Sequence, residues 1–513
     1  GADNITGELL TESYGILANV WKAFFNHCVR ISEIPTLWKT SCLCLIYKGR
    51  GSSQDPANYR GISLLCTAYK ILSKMVKNRL ESETDGKLND AQFGFRKGRS
   101  TMDAINKLIL AAKAATTKTR GKLYALFIDF RTAFDAVDRG LLLQKLFHLF
   151  NVNPALLNLI SLLLQWNSIR FKHQQCQCGS FHGSVPEIRQ DTGVLQGDSL
   201  SPFLFILFAN DLIRYIQNKC PEAQIQMYAD DTVIYSESSA AIKSAIAALD
   251  YWCQENQIEV NINKTKIVKF RRGGHLAKED VFTWRGENIE IVKEYAYLGI
   301  TLQTGLSFHR HIKKVCAKAT AKIGTMTAKS AKLSFDSAML VFNVQIRPVI
   351  AYGLHLYSKH LAATTLPLID TIKSRFLKRI LQLPLTTSTE NTHRFAKQER
   401  LCIYFKEKGF DFDPIAWTKY MQNLSKEEMN YTTPAVIDDE RWRMMNSPRH
   451  FLAGIATHGF HHKLCTNSRY HERTASCKCK YCLTEIEDLN HIHTCSNFSS
   501  KTLHDRYKYL CAH

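Results

Sequence analysis

The segment that decides the fold covers residues 224–236 and reads QIQMYADDTVIYS. Apolar and polar residues alternate on both sides of Ala229, Asp230 and Asp231, as in two strands that each bury one face. This pattern predicts a β-hairpin with two acids at its turn. Because Asp is a common turn residue, an ordinary surface turn is the alternative interpretation.

Residues 123–130 form an almost continuous apolar run, LYALFIDF, in which Asp129 is the charged residue. Such a run is typical of a buried central strand that ends in a functional carboxylate. Phosphoryl transfer uses two divalent ions about 3.5–4 Å apart, which hard oxygen ligands hold. We therefore predict that Asp129 and Asp230 hold two Mg²⁺ ions, or Mn²⁺ in their place, and that Asp231 supports them. The alternative is that Asp129 ends a strand at the surface.

The composition indicates a folded protein with a polyanionic partner. A chain of 513 residues of which 45% are hydrophobic can bury several cores, so we expect about two to four structural units. Lys and Arg residues outnumber Asp and Glu residues by 67 to 46, and the formal net charge of +21 favours nucleic acid as a partner. A basic surface without such a partner is the alternative.

The 16 cysteines are mostly single residues within apolar segments, as expected of reduced thiols in an intracellular protein. The sequence shows no basic and apolar leader, and its apolar runs are shorter than a membrane span, so we expect no membrane partner. The first residue is Gly rather than Met, which suggests a piece of a longer polypeptide.

Hydrophobic periodicity predicts a coarse secondary structure for the rest of the chain. Apolar residues at helical spacing predict a helix over residues 8–30 that leads into a strand at residues 42–47, and a second helix over residues 62–80. Residues 309–384 are also predicted to be helical, with lysines on the polar side. Residues 385–476 are mixed and polar, and predict no clear element.

Cysteine and histidine residues near the C-terminus have the ligand types and near-spacing of a structural Zn²⁺ site. The two thiolates of a Cys-x-x-Cys turn bind one side of such an ion, and a His and a Cys from the next segment complete its coordination. A chance cluster without a metal is the alternative. The predicted ligands are Cys479, Cys482, His491 and Cys495, with His493 and Cys477 as substitutes.

Five segments resemble, in the same order, the motifs of reverse transcriptases. They are FIDFRTAFD at residues 127–135, TGVLQGDSLSP at 192–202, YADD at 228–231, NINKTK at 261–266 and YLG at 297–299.

Three further segments are similar to the polymerases of non-LTR (LINE-type) retrotransposons. They read NYRGISLL at residues 58–65, QFGFRKGRST at 92–101 and RPVIAYG at 347–353. In the first of them Gly61 stands where the family usually has Pro, which loosens a backbone constraint. The resemblance is dense over about residues 35–385.

The resemblance implies an α+β fold of the right-hand polymerase type, with fingers, a palm built on an antiparallel sheet, a helical thumb and a small C-terminal zinc knuckle region. The family's knuckle usually has one more residue before its last cysteine, so the third zinc ligand stays open. The implied domains are an N-terminal extension with fingers at residues 1–122, palm at 123–142 and 186–305, an insertion at 143–185, thumb at 306–385, a connector at 386–470, and the knuckle with a tail at 471–513.

The resemblance also implies contacts with the nucleotide. Phe134 would be the bulky gate beneath the sugar, where an aromatic ring collides with a 2′-hydroxyl; an ordinary core Phe is the alternative. Gln196 and Gly197 would let backbone approach the nascent base pair, and a tight turn before a helix that starts near Ser201 is the alternative.

Three basic residues receive roles in the same way. Lys48 and Arg60 would hold the triphosphate, and solvated loop residues are the alternative. Lys264 would donate a proton to the leaving pyrophosphate, a role that calls for burial or charged neighbours, and a surface salt bridge is the alternative. The remaining implied sites are Mg²⁺ binding by Asp129, Phe130 and Asp230, nucleotide binding by Phe130, and a primer grip at Tyr297, Leu298 and Gly299.

The function that the resemblance implies is RNA-directed DNA polymerisation, in which a nicked DNA end is extended on the RNA of the element. The implied partners are an RNA template, a DNA primer or target site and dNTPs. Lysines between residues 313 and 332 would contact the phosphates of the template-primer. The implied location is the nucleus, after assembly on RNA in the cytoplasm. A group II intron maturase and a non-catalytic RNA-binding derivative are the alternatives, and an RNA-dependent RNA polymerase fits Phe134 less well.

Overall fold

The computed structural model describes residues 3, 5–49, 51–165, 167–171, 187–273, 280–330, 334–381 and 383–429. The chain divides into two compact units, Gly1–Gly299 with Gln303–Gly305, and Ile300–Leu302 with Leu306–His513.

The first unit combines nine helices with two main sheets in its described part. Its helices are α1 (Gly7–Glu12), α2 (Tyr14–Ile31), α3 (Thr67–Thr84), α4 (Thr101–Thr117), α5 (Arg139–His148), α6 (Pro154–Leu164), α7 (Ser201–Phe208), α8 (Asn210–Lys219) and α9 (Ser239–Glu255). Its strands are β1 (Thr40–Tyr47), β2 (Tyr59–Leu64), β3 (Lys122–Ile128), β4 (Asn167–Phe171), β5 (Ile188–Gln190), β6 (Gln224–Tyr228), β7 (Asp231–Ser236), β8 (Lys266–Arg271), β9 (Thr283–Trp284), β10 (Glu287–Asn288), β11 (Glu290–Val292) and β12 (Glu294–Tyr297), while β13 (Ile300–Gln303) lies at the boundary between the units.

The central sheet has the strand order β11-β8-β3-β7-β6. Its middle strand, β3, pairs antiparallel with β7 on one side and with β8 on the other. Every side chain from Leu123 to Ile128 is buried, as expected of a strand that is covered on both faces. The predictions of a buried strand at residues 123–130 and of a hairpin at residues 224–236 are therefore confirmed.

A second sheet has the strand order β2-β1-β4-β5. The prediction of a helix over residues 62–80 is wrong in its first part, because Tyr59–Leu64 is strand β2 and helix α3 begins only at Thr67. β2 pairs antiparallel with β1 over six residue pairs. Periodicity within one segment does not show such a partner, since the hydrogen bonds of a strand lie in another part of the chain.

The helix predicted over residues 8–30 is two helices that meet at Ser13. The Ser13 hydroxyl donates a hydrogen bond to the Leu9 carbonyl at 2.6 Å, a local bond that competes with the helix ladder. Of the residues in α2, Phe25 and Cys28 are buried, while Ile16 is 83% exposed. The apolar residues of this segment thus follow helical spacing without all facing the core.

The described part of the second unit is helical, which confirms the prediction for residues 309–384. Residues 389–429, for which the sequence predicts no clear element, add three helices. The helices of this unit are α10 (His309–Ser330), α11 (Phe335–Val341), α12 (Arg347–Ala351), α13 (Leu354–Tyr357), α14 (Leu366–Ile380), α15 (Thr389–Phe395), α16 (Leu401–Glu407) and α17 (Pro414–Met429).

A buried polar network joins four of these helices. Asp370 of α14 accepts a hydrogen bond from the Cys402 N–H of α16 at 2.9 Å and another from the Tyr420 hydroxyl of α17. Arg400 lies 3.8 Å from the carboxylate of Asp370 and 2.8 Å from that of Glu390 in α15. Because Asp370 and Arg400 are both buried, each neutralises a charge that water cannot reach.

Among the described residues, one helical stretch, Phe335–His360, is long and apolar enough to match a membrane span by length and composition. Of the most apolar 18 residues of this stretch, 39% is buried inside the structure. A core helix of a folded protein has the same length and composition. The expectation that all apolar runs fall short of a span overlooked this stretch, because Asn343, Gln345 and Arg347 interrupt it.

Candidate active site

Asp129 is placed by the register between β3 and β7. Ile128, the last residue of β3, pairs with Thr232 of β7. Asp129 follows Ile128 and therefore stands beside Asp231, the first residue of β7. The strand register thus brings two acids that are far apart in sequence to the same end of the central sheet.

The NINKTK segment holds Asp129 through both backbone and side chain. The Asn261 N–H donates to the Asp129 carbonyl at 2.7 Å, and the Asp129 N–H donates to the Thr265 hydroxyl at 3.2 Å. The Lys264 ammonium lies 3.3 Å from the Asp129 carboxylate, and the Lys264 side chain is 56% exposed. Lys264 is therefore ion-paired at the site rather than buried in it, which matches the salt-bridge alternative.

Asp230 lies in the loop of the β6–β7 hairpin. Tyr228 pairs with Asp231, which leaves Ala229 and Asp230 as a two-residue loop. Ala229 has a φ of 58°, a left-handed conformation that glycine usually supplies at the first position of such a turn. The tight turn places Asp230 and Asp231 at the same end of the central sheet as Asp129.

Burial and neighbouring carboxylates raise the pKa values of Asp230 and Asp231. Burial is the main cause that raises the pKa of Asp230, and the charge of Asp129 adds to it, while Arg60 acts in the opposite direction. Burial raises the pKa of Asp231 to about 6, with further contributions from Asp230 and Asp129. Asp231 is exposed at the start of β7, and the charges of Asp230 and Asp129 still act on its carboxylate.

The donor chemistry of these side chains fits a divalent cation. Carboxylate oxygens are the ligands that Mg²⁺ prefers, and the charges that help to raise the pKa values of Asp230 and Asp231 are ones that a cation would neutralise. In the part of the chain that the structure describes, no three His, Cys, Asp or Glu side chains converge into a ready-made ligand cluster. In this arrangement the ammonium of Lys264 neutralises Asp129.

Gln196 and Gly197 contact the second sheet. The Ser63 N–H of β2 donates to the Gln196 carbonyl at 2.8 Å. Gly197 has a φ of 117°, and a Cβ there would lie 2.5 Å from the Ser63 carbonyl. Gly197 therefore packs against the backbone of β2 in a space that has no room for a Cβ. The side-chain amide of Gln196 donates to the Asp135 carboxylate at 3.4 Å.

Arg139 is a residue of this region that the sequence analysis missed. Its guanidinium donates to the carbonyls of Gly193 at 2.8 Å, Gln190 at 2.9 Å and Thr192 at 3.3 Å. A Cβ at Gly193 would lie 2.6 Å from the Asp135 carbonyl, so this loop is tightly packed. No local signal marks Arg139, because its three acceptors lie about fifty residues further along the chain.

Phe134 and Phe130 have different environments. The half-buried Phe134 ring stacks on Phe205 of α7 with centroids 4.7 Å apart, and the Phe134 carbonyl accepts from the Val194 N–H at 2.8 Å. Phe130 is buried, with its ring 6.5 Å from that of Trp252. The Phe130 side chain therefore belongs to the core. Its backbone directly follows Asp129 after the end of β3.

The two basic residues of the β1–β2 hairpin are placed differently. Arg60 is exposed on β2 and near enough to Asp230 to lower the pKa of that acid. Lys48 follows the end of β1, where its N–H donates to the Asn58 carbonyl at 2.8 Å. The structure thus brings Arg60 toward the acids and places Lys48 at the tip of the hairpin.

The YLG segment forms a tight turn after β12. Leu298 and Gly299 have φ values of 45° and 86°, and Tyr297 is buried with its ring 5.3 Å from Phe127. Tyr295 was not predicted from the sequence. Its ring stacks on that of Phe127 with centroids 4.3 Å apart. Burial raises the pKa of Tyr295 to about 12, and the charges of Asp231 and Asp129 contribute to the increase. Alternate spacing along β12 was the available signal, since it puts two tyrosines on one face.

The predicted zinc ligands lie outside the described residues. They are Cys479, Cys482, His491 and Cys495, together with the substitutes Cys477 and His493.

Comparisons with known proteins place this geometry in a family. Residues 47–302 match the sequence model described as reverse transcriptase (RNA-dependent DNA polymerase). The chain is 27% identical over 418 residues to the RNA-directed DNA polymerase from mobile element jockey of Drosophila melanogaster, which covers 78% of this chain and 43% of that protein. It is 22% identical over 410 residues to the Pol polyprotein from type-1 retrotransposable element R2 of Popillia japonica, which covers 76% of this chain and 53% of that protein.

Among solved structures, telomerase from Candida albicans in complex with a fragment of telomeric RNA aligns at 9% identity with a TM-score of 0.40, covering 75% of this chain and 69% of that chain. The chain spans about half the length, or less, of the curated relatives it matches. Residues 47–302 therefore form a reverse transcriptase domain, and the chain is similar to RNA-directed DNA polymerases of non-LTR retrotransposons.

Proposed function

We propose that this chain is an RNA-directed DNA polymerase of a non-LTR retrotransposon, which copies RNA from the 3′-hydroxyl of a DNA primer in target-primed reverse transcription. The observation that carries the proposal is the register of the central sheet, which sets Asp129 beside the Asp230 and Asp231 hairpin within the family match. A protein that only binds RNA has no use for acids at one sheet end whose charges raise the pKa values of Asp230 and Asp231.

Asp129 and Asp230, with the Phe130 backbone beside them, would hold the metal ions. Two bound divalent cations would activate the primer hydroxyl and neutralise charge on the leaving pyrophosphate. Arg60 would bind the triphosphate through its planar guanidinium. Lys264 would donate a proton to the leaving oxygen, and its ion pair with Asp129 keeps its ammonium at the site.

The finer assignment of the fold follows the same proposal. Strands β1 and β2 with α3 and α4 would belong to the fingers, the central sheet would form the palm, and α10 to α14 would form the thumb. Helix α10 buries one apolar face and exposes lysines on the other, which would bind template-primer phosphates. The zinc knuckle would be structural, and the protein would act in the nucleus. The exposed lysines of α10 are Lys313, Lys314, Lys318 and Lys322.

Primer extension tests the proposed function. We expect Mg²⁺-dependent incorporation of dNTPs on an RNA template with a DNA primer, and weak incorporation of ribonucleotides. Affinity for template-primer should fall steeply as salt rises, since phosphate contacts release counterions. RNA binding without incorporation would favour the non-catalytic derivative, and splicing of a cognate intron would favour the maturase.

Phe134→Val should relax the choice of sugar. The smaller side chain opens the space beneath the ribose, so we expect the ratio of ribonucleotide to deoxynucleotide incorporation to rise about 10- to 200-fold, the range for a change in pocket size. Steady-state kcat/KM for each nucleotide measures it. Phe147→Val, which alters an exposed ring on α5, is the control, and an unchanged ratio in Phe134→Val would rule out the gate.

The raised pKa of Asp231 predicts an acid limit to activity. As pH falls through about 6, Asp231 takes up a proton, and the raised pKa of Asp230 acts in the same direction, so the site loses the negative charge that holds cations. We therefore expect incorporation at fixed Mg²⁺ to decline below about pH 6. A rate that stays constant down to pH 5 would contradict this assignment.

The same shift acts on stability in the opposite direction. Because the folded-state pKa of Asp231 is raised, its stabilising contribution is present at low pH and is lost as pH rises through about 6. At neutral pH and without metal, Asp231→Asn should therefore raise the melting temperature while it lowers activity. Differential scanning fluorimetry in EDTA measures this, with Glu237→Gln at the far end of β7 as the control.

A further inference from the structure

Residues 91–94 form an additional edge beside the catalytic hairpin. The Phe93 N–H donates to the Met227 carbonyl at 2.8 Å, and the Met227 N–H donates to the Ala91 carbonyl at 2.9 Å. These bonds make a parallel bridge between Gln92 and Met227, so the segment runs along β6 toward the turn that carries Asp230. β6 is otherwise the last strand of the central sheet.

The side chain of Gln92 reaches the catalytic turn. It is fully buried, and its Oε1 accepts from the Gly94 N–H at 2.9 Å and from the Ala229 N–H at 3.2 Å. Ala229 is the residue with positive φ in the two-residue loop, where no glycine relieves the backbone. One amide oxygen therefore ties the neighbouring segment to the strained peptide next to Asp230.

Gly94 brings the two backbones into direct contact. A Cβ at this position would lie 3.0 Å from the Tyr228 carbonyl carbon and closer still to the Ala229 nitrogen. Since both neighbours are backbone atoms, a larger residue would have to displace the turn itself. The geometry thus leaves the turn no room to move toward residues 91–94.

The loop that carries Gln92 is itself held in place. Arg96, whose side chain is 10% exposed, donates to the Asn89 carbonyl at 2.9 Å and to the Gln92 carbonyl at 3.3 Å. Its guanidinium also lies 3.6 Å from the Asp85 carboxylate. Gln92 therefore projects from an anchored backbone, as a residue that orients another group must.

The amide of Gln92 is only half satisfied. Its Nε2 is buried and has no hydrogen-bond partner among the described residues. A buried donor without a partner is costly, yet an apolar side chain here would leave the Gly94 and Ala229 N–H groups without their acceptor. A carboxylate would accept the same two bonds, but it would add a fourth negative charge beside Asp230.

From this geometry we propose that Gln92 is a positioning residue of the polymerase, which holds the Ala229 peptide and thereby fixes the Asp230 carboxylate for catalysis. This inference rests on the proposed function. Gln92 does not touch substrate; it acts through the turn. Its loss should therefore slow the chemical step and weaken cation binding while leaving nucleotide binding almost unchanged.

Gln92→Met tests the proposal, because it keeps the volume and removes the acceptor. We expect kcat to fall on the order of 10- to 100-fold, as for a displacement of about 1 Å, with KM for dNTP within about threefold of wild type. Titration with Mn²⁺ followed by electron paramagnetic resonance should show weaker binding in the free protein. Gln165→Met, an identical change at an exposed site, should match wild type in all three measurements.

Gly94→Ala provides an independent variant that moves the turn without altering Gln92. It should reproduce the loss in kcat and in Mn²⁺ affinity, whereas Gly86→Ala, where a Cβ meets nothing within 4 Å, should not. Wild-type kcat in Gln92→Met, or Gly94→Ala indistinguishable from Gly86→Ala, would overturn the proposal. A wild-type protein that binds Mn²⁺ but incorporates no nucleotide would instead refute the proposed function, and the Mn²⁺ affinities would still decide the role of Gln92.

Discussion

We expect Asp230→Asn to reduce dNTP incorporation at least about 10³-fold, which corresponds to about 4 kcal/mol of transition-state stabilisation. Asp230 lies in the two-residue loop between β6 and β7, with Asp231 next to it and Asp129 at the neighbouring strand end. The amide keeps the size of the side chain but lacks the charge and the ligand strength that a divalent cation requires. Single-turnover incorporation of one dNTP on an RNA template measures the effect.

The control for this variant makes the same chemical change elsewhere on the hairpin. Glu237 follows β7 and forms an exposed ion pair with Lys118 at 2.6 Å. Such surface pairs contribute little to stability, so Glu237→Gln should keep the wild-type rate. If Asp230→Asn retained more than a tenth of wild-type incorporation, Asp230 would not be a metal-binding acid of this enzyme.

Asp370→Ala should destabilise the helical unit by about 3–5 kcal/mol, the usual cost of breaking a buried ion pair by removing one partner. Asp370 accepts hydrogen bonds from the Cys402 N–H and the Tyr420 hydroxyl, and its carboxylate faces Arg400. The substitution leaves a buried N–H, a buried hydroxyl and part of a buried charge without their acceptor. Urea unfolding of the full chain, followed by circular dichroism, measures the change.

Asp411→Ala is the matched control, because Asp411 pairs with Lys359 and Lys406 on the surface. No measurable change in the urea midpoint is expected there. Equal midpoints for the Asp370 and Asp411 variants would show that the buried network does not stabilise the packing of α14 to α17. Since Asp370 is remote in sequence from the acids, dNTP incorporation at low temperature should persist in Asp370→Ala.

Alternation within residues 224–236 and the apolar run at residues 123–130 predicted the hairpin and the central strand correctly. Both signals are local: the side-chain period of two shows which face is buried, and the turn lies where the alternation breaks. For the same reason residues 62–64, the end of strand β2, were assigned to a helix, because the pairing of β2 with β1 is not visible within the segment.

The site was predictable where chemistry resides in a residue type and unpredictable where it depends on distant contacts. Asp129 and Asp230 could be chosen because carboxylates suit metal ions and because their segments end at the same edge of a sheet. The acceptors of Arg139, the clamp of Gln92 on Ala229 and the packing of Gly197 against Ser63 are set by tertiary structure. Nothing in the neighbouring sequence encodes them.

The position of β3 in the sheet determines which part of the enzyme opens first on mild heating. β3 is hydrogen-bonded along both edges, so its amide protons should exchange with deuterium only when the whole unit opens. The β6–β7 turn, in contrast, is held from outside its own hairpin by one side-chain oxygen and a short backbone bridge. Under mild heating the catalytic turn should therefore open and close many times while the strand before Asp129 stays intact, and a warmed sample that has lost activity should recover it on cooling.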